Sequence, residues 1–346
     1  MNKRFQRGLV VGKFSPLHHG HEALILRALG ECDEVFLISY SNPERPGCDA
    51  GRRDLWLSTL FPRIRHLAVT DERLRGWADP CEGPRVVPRD DADEATHRRF
   101  CGFLCRRVLG VTVDAVFTGE PYGDGFAAEL TRYFQESDPT APHVTHVQVD
   151  RQALPISGTS IRRDPYAHRE WLAPVVYGSF VKRVSMLGGE SSGKSTLAEA
   201  LARELNTTHV AEYGRELWVE KSGDLYFEDM LRIAEVQVQR EEDATVRARR
   251  FLFCDSSPLT TLFYSRELFG RAAPELERLA ERSYDFTLLC MPDFDFVQDG
   301  TRQPGEFRTR QHEWYVQELA RREVRYVSVR GPVEARIKQV RELLGA

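Results

Sequence analysis

The sequence predicts an α/β protein of two domains, each built on a mainly parallel sheet. Three observations predict it. Short apolar runs alternate with helical patterns along all 346 residues, which is the signature of βαβ units. Glycine-rich turns follow the first strand of each half, Gly12 to Gly20 early and Gly188 to Gly193 past the midpoint. The chain is also too long for one typical domain of roughly 150 residues, and each half can bury a core of its own.

In the first half, Leu9–Val11 opens a strand and Gly20–Leu29 reads as the helix after it. Val35–Tyr40 is a short apolar strand that stops at the turn-forming Ser41-Asn42-Pro43. Arg52–Leu60 is helical, Ile64–Val69 strand-like, and the Pro-, Gly- and Asp-rich Ala78–Asp93 a loop. Glu94–Leu109 reads as helix, with strands at Val113–Phe117 and His143–Val149. Asp164-Pro165, Ala173-Pro174 and Tyr177-Gly178-Ser179 then punctuate the chain. The expected division is a first domain over 1–170, a linker over 171–180 and a second domain over 181–346.

The second half repeats the alternation. A strand ends at Leu187, a helix follows over Lys194–Leu205, a strand over His209–Ala211 and a long helix over Phe227–Arg249. Strands at Phe251–Cys254 and Thr287–Cys290 precede a helix over Thr309–Arg322. The last strand is Val324–Val329 and the last helix Pro332–Leu344, with its proline near the start.

Composition narrows the function. A net charge of −4 with acids and bases interspersed gives no support for a nucleic-acid partner. The seven cysteines form no CxxC pair. Cys101 and Cys105 share a helix face, and thiols in a reducing cytoplasm explain the set better than a metal site or a disulfide framework. No apolar run approaches the roughly 18 residues of a membrane span, and Met1–Phe5 lacks the apolar core of a signal peptide. A cytoplasmic protein is expected.

The early turn reads Gly12-Lys13-Phe14-Ser15-Pro16-Leu17-His18-His19-Gly20-His21. Gly20 lets backbone approach a ligand, the helix start offers free N–H groups to phosphate, and His18 and His21 can donate to oxygens that gain charge. Lys13 adds a positive charge. A metal site is the alternative, but no nearby carboxylate or cysteine completes a ligand set. Later, Ile156-Ser157-Gly158-Thr159-Ser160-Ile161-Arg162 reads as a second helix start. Ser157 or Thr159 can cap it, and Arg162 completes a phosphate clamp.

The later turn, Gly188-Gly189-Glu190-Ser191-Ser192-Gly193-Lys194-Ser195-Thr196, sits between a strand and a helix, the context a P-loop needs. Its backbone N–H groups would cradle ATP phosphates, Lys194 would reach the β- and γ-phosphates, and Ser195 would ligate Mg²⁺. Asp255 ends an apolar strand and suits the same ion. Glu212 ends another strand and is a candidate base for a hydroxyl nucleophile, with Asp255 its competitor. Tyr213 is a candidate ring partner and Arg215 a phosphate contact or positioner of Glu212. Arg302 and Arg308 flank a basic, Gly-containing loop suited to closing on a transferring phosphoryl group.

The early HxGH and late ISxTxxR segments together resemble the Rossmann-like nucleotidyltransferases, over about residues 8–170. That resemblance implies ATP binding by Gly12, Lys13, Phe14, His18, His21, Ser157, Thr159 and Arg162, with attack on the α-phosphorus. Phe117-Thr118-Gly119-Glu120-Pro121-Tyr122-Gly123 looks like the nicotinamide-mononucleotide adenylyltransferases of the bifunctional NadR family. Glu120, Tyr122 and Trp77 are then the expected mononucleotide contacts. Trp56 is a second aromatic candidate, although its apolar helical setting suits core packing. Residues 180–346 look like the ribosylnicotinamide kinase half of the same family. One departure is that the family's strand is expected to end in two acids one residue apart, whereas here Asp255 is followed by Ser256-Ser257.

The resemblance implies phosphorylation of nicotinamide riboside to the mononucleotide, then adenylylation to NAD, each with ATP as co-substrate and Mg²⁺. Relatives with a helix-turn-helix domain act as repressors; this chain starts a few residues before its first strand, and no such domain is expected. The sequence leaves the oligomeric state open. Two rival readings are that only one half is active, or that the chain senses ATP or NAD and contacts a membrane riboside transporter.

Overall fold

The computed structural model describes residues 3–77, 83–120, 122–149, 156–293 and 305–346. The chain divides into two compact units, Met1–Ser179 and Phe180–Ala346.

The first unit begins β1 (Phe5–Gly12), α1 (His19–Glu31), β2 (Cys32–Ser39), α2 (Ala50–Leu60) and β3 (Arg65–Ala68). It continues α3 (Asp71–Trp77), α4 (Glu94–Phe103), β4 (Ala115–Thr118), α5 (Gly123–Gln135), β5 (Thr145–Gln148), α6 (Gly158–Arg163) and α7 (Pro174–Gly178). All strands are parallel, in the order β3-β2-β1-β4-β5. The helix expected over Glu94–Leu109 changes character: Leu104–Leu109 widens into a π-type turn that ends at left-handed Gly110, φ 71°. Apolar strand residues such as Leu9, Phe36 and Val116 are fully or almost fully buried against Leu104 and Leu130. The stretch 171–180, expected as a linker, contains α7 and belongs to this unit as far as Ser179. Trp56 is completely buried and its indole N–H donates to Ser179 Oγ at 3.2 Å, so it packs the core and has no face for a ligand ring.

The second unit begins β6 (Lys182–Leu187), α8 (Lys194–Glu204), β7 (Thr208–Val210), α9 (Tyr213–Glu220), α10 (Phe227–Thr245) and β8 (Phe251–Cys254). It ends α11 (Pro258–Phe269), α12 (Pro274–Leu279), β9 (Phe286–Cys290), α13 (Gly305–Arg321), β10 (Val327–Val329) and α14 (Val333–Leu344). Its parallel strands run β10-β9-β6-β8-β7. One apolar cluster joins β6, β8, β9 and β10 to α8 and α14, and a second joins α9–α13.

In both sheets the first strand of the unit is central; in the first the chain winds outward from it both ways, and in the second it runs to edge strand β7, returns to β8 and then crosses to β9 and β10. Such a topological switch point opens a crevice beyond the carboxyl ends of the strands, and each glycine-rich turn sits there.

Glu318 on α13 ties the helix end together, accepting from Arg321 at 2.6 Å and Arg322 at 2.8 Å. Arg322 passes the link to the Ala280 carbonyl at 2.9 Å. The Arg321 hydrogen bond, followed by the opposing effect of burial and then the Arg322 bond, holds the Glu318 carboxyl down at about 2 instead of the usual 4.5. A carboxyl with a depressed folded-state pKa stabilises above its unfolded value, and that contribution is lost as pH falls through its folded value. Glu318→Gln is therefore expected to lower the melting temperature of this unit by about 5 °C at pH 7, from about 2 kcal/mol after allowance for the exposed Arg321. The difference should vanish near pH 2. Equal melting at pH 7 would show that the cluster adds nothing.

Candidate active sites

In the first unit, α1 starts with His18 as its N-cap, and Gly20 N–H donates to His18 Nδ1 at 3.1 Å. That bond leaves the proton of the neutral ring on Nε2. The His18 and His21 rings lie 3.9 Å apart, centroid to centroid, and the His21 ring meets Phe14 edge-on at 5.1 Å. Phe14 itself is fully buried at φ 45°, so the turn is held in a strained left-handed conformation by packing.

The second motif closes onto the first. Ser157 is the N-cap of α6 and accepts from Ser160 N–H at 3.2 Å. Arg162 donates to the Ser15 carbonyl and, at 2.8 Å, to Thr159 Oγ1. A Cβ on Gly158 would stand 3.2 Å from that same carbonyl, so glycine permits the close approach. Lys13, Phe14, His18, His21, Glu120, Ser157, Thr159 and Arg162 thereby line one cleft of about 480 Å³.

Tyr122 lines an adjoining cleft of about 310 Å³ with Gly12, Lys13, Tyr40, Asp90, His97 and Thr118. Lys13 is not a bare cation, because it pairs with Asp90 at 2.8 Å. Burial alone would raise the Asp90 carboxyl, but hydrogen bonds from Lys13 and Asn42 N–H, with the Arg45 charge, hold it below the usual range. Tyr40 hydroxyl meets His97 Nδ1 at 3.0 Å, and Thr118 Oγ1 meets His146 Nε2 at 2.8 Å. Sequence reasoning missed Tyr40, His97 and Thr118. Tyr40 and Thr118 were findable, since each lies at the carboxyl end of its strand. Trp77, at the end of α3 and 39% exposed, lines neither cleft.

In the second unit the loop from Gly188 to Gly193 carries three positive φ angles, Gly188 143°, Ser191 56° and Gly193 77°. A Cβ on Gly188 would fall 2.6 Å from the Cys290 carbonyl, so only glycine fits there. The loop's N–H groups lead into α8, where Lys194 and Ser195 occupy the first turn and Thr196 is exposed. Lys194 Nζ donates to the Gly188 and Gly189 carbonyls at 2.9 and 3.0 Å. Glu190 is fixed from outside: its N–H donates to Gln311 Oε1 at 2.9 Å, and the Tyr264 hydroxyl donates to its carboxylate at 2.7 Å.

Asp255, 4% exposed, stands at the end of β8 with its carboxylate hydrogen-bonded to the Ser195 side chain. Burial first, then the Glu212 charge, raise it to about 7. Its Oδ1 is buried and has no hydrogen-bond partner. A hydroxyl and an acidic oxygen so placed fit a hard divalent cation such as Mg²⁺. Residue 257, where the second acid was expected, is a buried serine at the N-cap of α11.

Glu212 caps α9 and lies 3.8 Å from Arg215; its side chain is 18% exposed. Both line a pocket with Lys194, Glu190, Gly214, Trp218, Ser256, Thr260, Tyr264 and Gln311. Tyr213 does not join them. It is buried in the core, its backbone N–H donates to Gln237 at 3.0 Å, and the Arg240 guanidinium covers its ring at 4.6 Å. The aromatic groups at the pocket are Trp218 and Tyr264, which sequence reasoning missed. Arg308 is 6% exposed, and its carbonyl stands 2.6 Å from where a Cβ on Gly189 would be. Arg302 falls outside the described residues. Among the described residues no group of three or more His, Cys, Asp or Glu side chains could hold a metal, and no helix is long and apolar enough to cross a membrane.

Residues 183–336 match a family described as an AAA domain. The chain is 30% identical over 307 residues to the trifunctional NAD biosynthesis/regulator protein NadR of Salmonella typhimurium, an alignment covering 86% of this chain and 72% of that protein. It is 32% identical over 311 residues to the protein of the same name from Escherichia coli, with the same 86% and 72% coverage. Among solved structures, a NadR protein in complex with NR superposes with a TM-score of 0.67 at 21% identity, covering 100% of this chain and 97% of that one. Another, in complex with NAD and AMP-PNP, gives 0.66 at 22% identity, covering 99% and 97%. At that identity these two likenesses bear on the fold.

Proposed function

Because this chain belongs to the NadR family, we propose that it makes NAD in two consecutive ATP-dependent steps. The second unit phosphorylates nicotinamide riboside to the mononucleotide, and the first unit transfers AMP from ATP to that product with release of pyrophosphate. The observation that supports this reading is that one chain carries two glycine-bearing turns, each at the switch point of its own sheet and each with basic and hydroxyl side chains gathered at it.

In the adenylylating unit the acceptor is a phosphate monoester, already anionic, so no general base is needed. Positioning and charge neutralisation suffice. His18 through Nε2, His21 and Arg162 are placed to stabilise the charge that grows on the phosphates, while Ser157 and Thr159 orient them. The adjoining cleft, with Tyr122, Tyr40 and Thr118, takes the mononucleotide, and Glu120 stands at the ATP side. Gly12 and Phe14 shape the turn.

In the phosphorylating unit the loop from Gly188 to Ser195 holds the triphosphate. Ser195 and Asp255 would hold Mg²⁺, which when bound would supply charge neutralisation to the triphosphate. Of the two competing carboxylates, Glu212 is the better base. It faces the riboside pocket, whereas Asp255 is turned to Ser195 and is not among the residues lining that pocket. Glu212 accepts the proton of the riboside's primary hydroxyl as the γ-phosphoryl group arrives, and Arg215, 3.8 Å away, orients the carboxylate. Trp218 supplies the flat apolar face for the nicotinamide ring. Both steps belong to the cytoplasm, where ATP is available.

The test is to supply nicotinamide riboside with MgATP and separate the products over time. NAD should appear only after a lag in which the mononucleotide rises and falls. Formation of NAD without the mononucleotide, or no product from either substrate, would refute the scheme.

A further inference from the structure

Arg336 on α14 is completely buried, 0% exposed, although nothing in the scheme above uses it. Its Nε donates to the Gly331 carbonyl at 2.8 Å, Nη1 to the Ser192 carbonyl at 2.6 Å, and Nη2 to the Met291 carbonyl at 2.9 Å. Nη2 also pairs with Asp293, whose other oxygen accepts from Gly331 N–H at 2.7 Å. One planar guanidinium thus joins the phosphate loop, the end of β9 and the turn between β10 and α14. The Asp293 carboxyl would be raised by burial but is held below its usual range by the Gly331 N–H and by Arg336.

We propose that Arg336 is a positioning residue for phosphoryl transfer, acting through the peptide between Ser192 and Gly193. A trans peptide is planar, with its C=O and N–H on opposite sides. Holding the Ser192 carbonyl against Arg336 turns the Gly193 N–H away from α14, toward the inside of the loop, where an anion is bound by N–H groups. Gly193 is left-handed at φ 77°, so this peptide has another accessible orientation and needs a restraint to stay in place. A guanidinium supplies several donors in a rigid fork, and an ammonium cannot span four acceptors on three segments. The turn after β10 therefore acts as a brace on the triphosphate cradle, through a residue that touches no substrate.

This inference rests on the kinase reading of the second unit. The experiment uses the full chain and measures both reactions in each variant: riboside phosphorylation, and adenylyl transfer to supplied mononucleotide. Arg336→Lys is expected to raise the KM for MgATP about ten-fold or more and to lower kcat, with the KM for riboside little changed and adenylyl transfer intact. Asp293→Asn, which leaves the guanidinium in place but removes its anchor, should shift the ATP KM in the same direction by a smaller factor. Added guanidinium should restore part of the activity of Arg336→Gly. Wild-type ATP kinetics in both Arg336→Lys and Asp293→Asn would overturn the proposal, as would equal loss of affinity for ATP and riboside. If Arg336→Lys does not fold, Asp293→Asn alone decides by the same split. Failure of the wild-type chain to phosphorylate riboside would instead sink the kinase reading itself.

Discussion

Replacing Lys194 with alanine is expected to slow use of nicotinamide riboside about 100- to 1,000-fold while conversion of the mononucleotide to NAD continues at the wild-type rate. Lys194 is the one ammonium among the described residues that lines the pocket shared with Glu212, and it opens α8 directly after the glycine-bearing loop. Removing a preorganised donor to transferring phosphate costs about 100- to 1,000-fold in rate. Glu212→Gln should behave differently. It keeps the ATP-binding apparatus, so the KM for MgATP should hold while kcat falls about 100-fold. Product analysis with each substrate separates the two halves, and loss of mononucleotide conversion in Lys194→Ala would defeat the assigned division of labour.

The complementary result is expected for His21→Ala: riboside is consumed, the mononucleotide accumulates, and NAD formation drops about 100- to 1,000-fold. The His21 ring is packed between Phe14 and His18, so truncation also removes a ring neighbour of His18. His21→Asn, which keeps a donor of similar reach, should recover part of the rate. Wild-type NAD formation in His21→Ala would remove the imidazole pair from the mechanism.

Much of the architecture was legible because it rests on local rules. Glycine-rich turns between a strand and a helix, and apolar runs of strand length, are periodic signals that survive without tertiary context. Helices α3, α5, α7, α11 and α12 escaped notice, and two of these show the physical reason. α11 is buried on nearly all sides, from Pro258 through Phe263, and so lacks an amphipathic period to read. α5 opens on Gly123-Asp124-Gly125, which reads as turn; glycine is required at 123 because a Cβ would strike the His146 ring.

The site residues divide in the same way. The two cradles were found because their motifs specify backbone geometry. Tyr213 does not reach the pocket, because which side chain does so depends on the rotation of α9 about its own axis. Residues four apart share a helix face, so Tyr213 and Leu217 go to the core together, while Gly214 and Trp218 turn to the pocket. Neighbouring positions look equivalent in sequence and differ by roughly 100° in direction. Arg336 and Lys13 carry no local sign of their partners, because Ser192, Met291 and Asp90 are brought to them only by the folded sheet.

The resting position of Lys194 has a thermodynamic consequence. With its ammonium seated on two loop carbonyls, arrival of a nucleotide is an exchange of acceptors, and the enthalpy this side chain contributes is only the difference between two solvated-like states. Selectivity for a triphosphate over a shorter anion must then come from how many oxygens the whole loop engages at once.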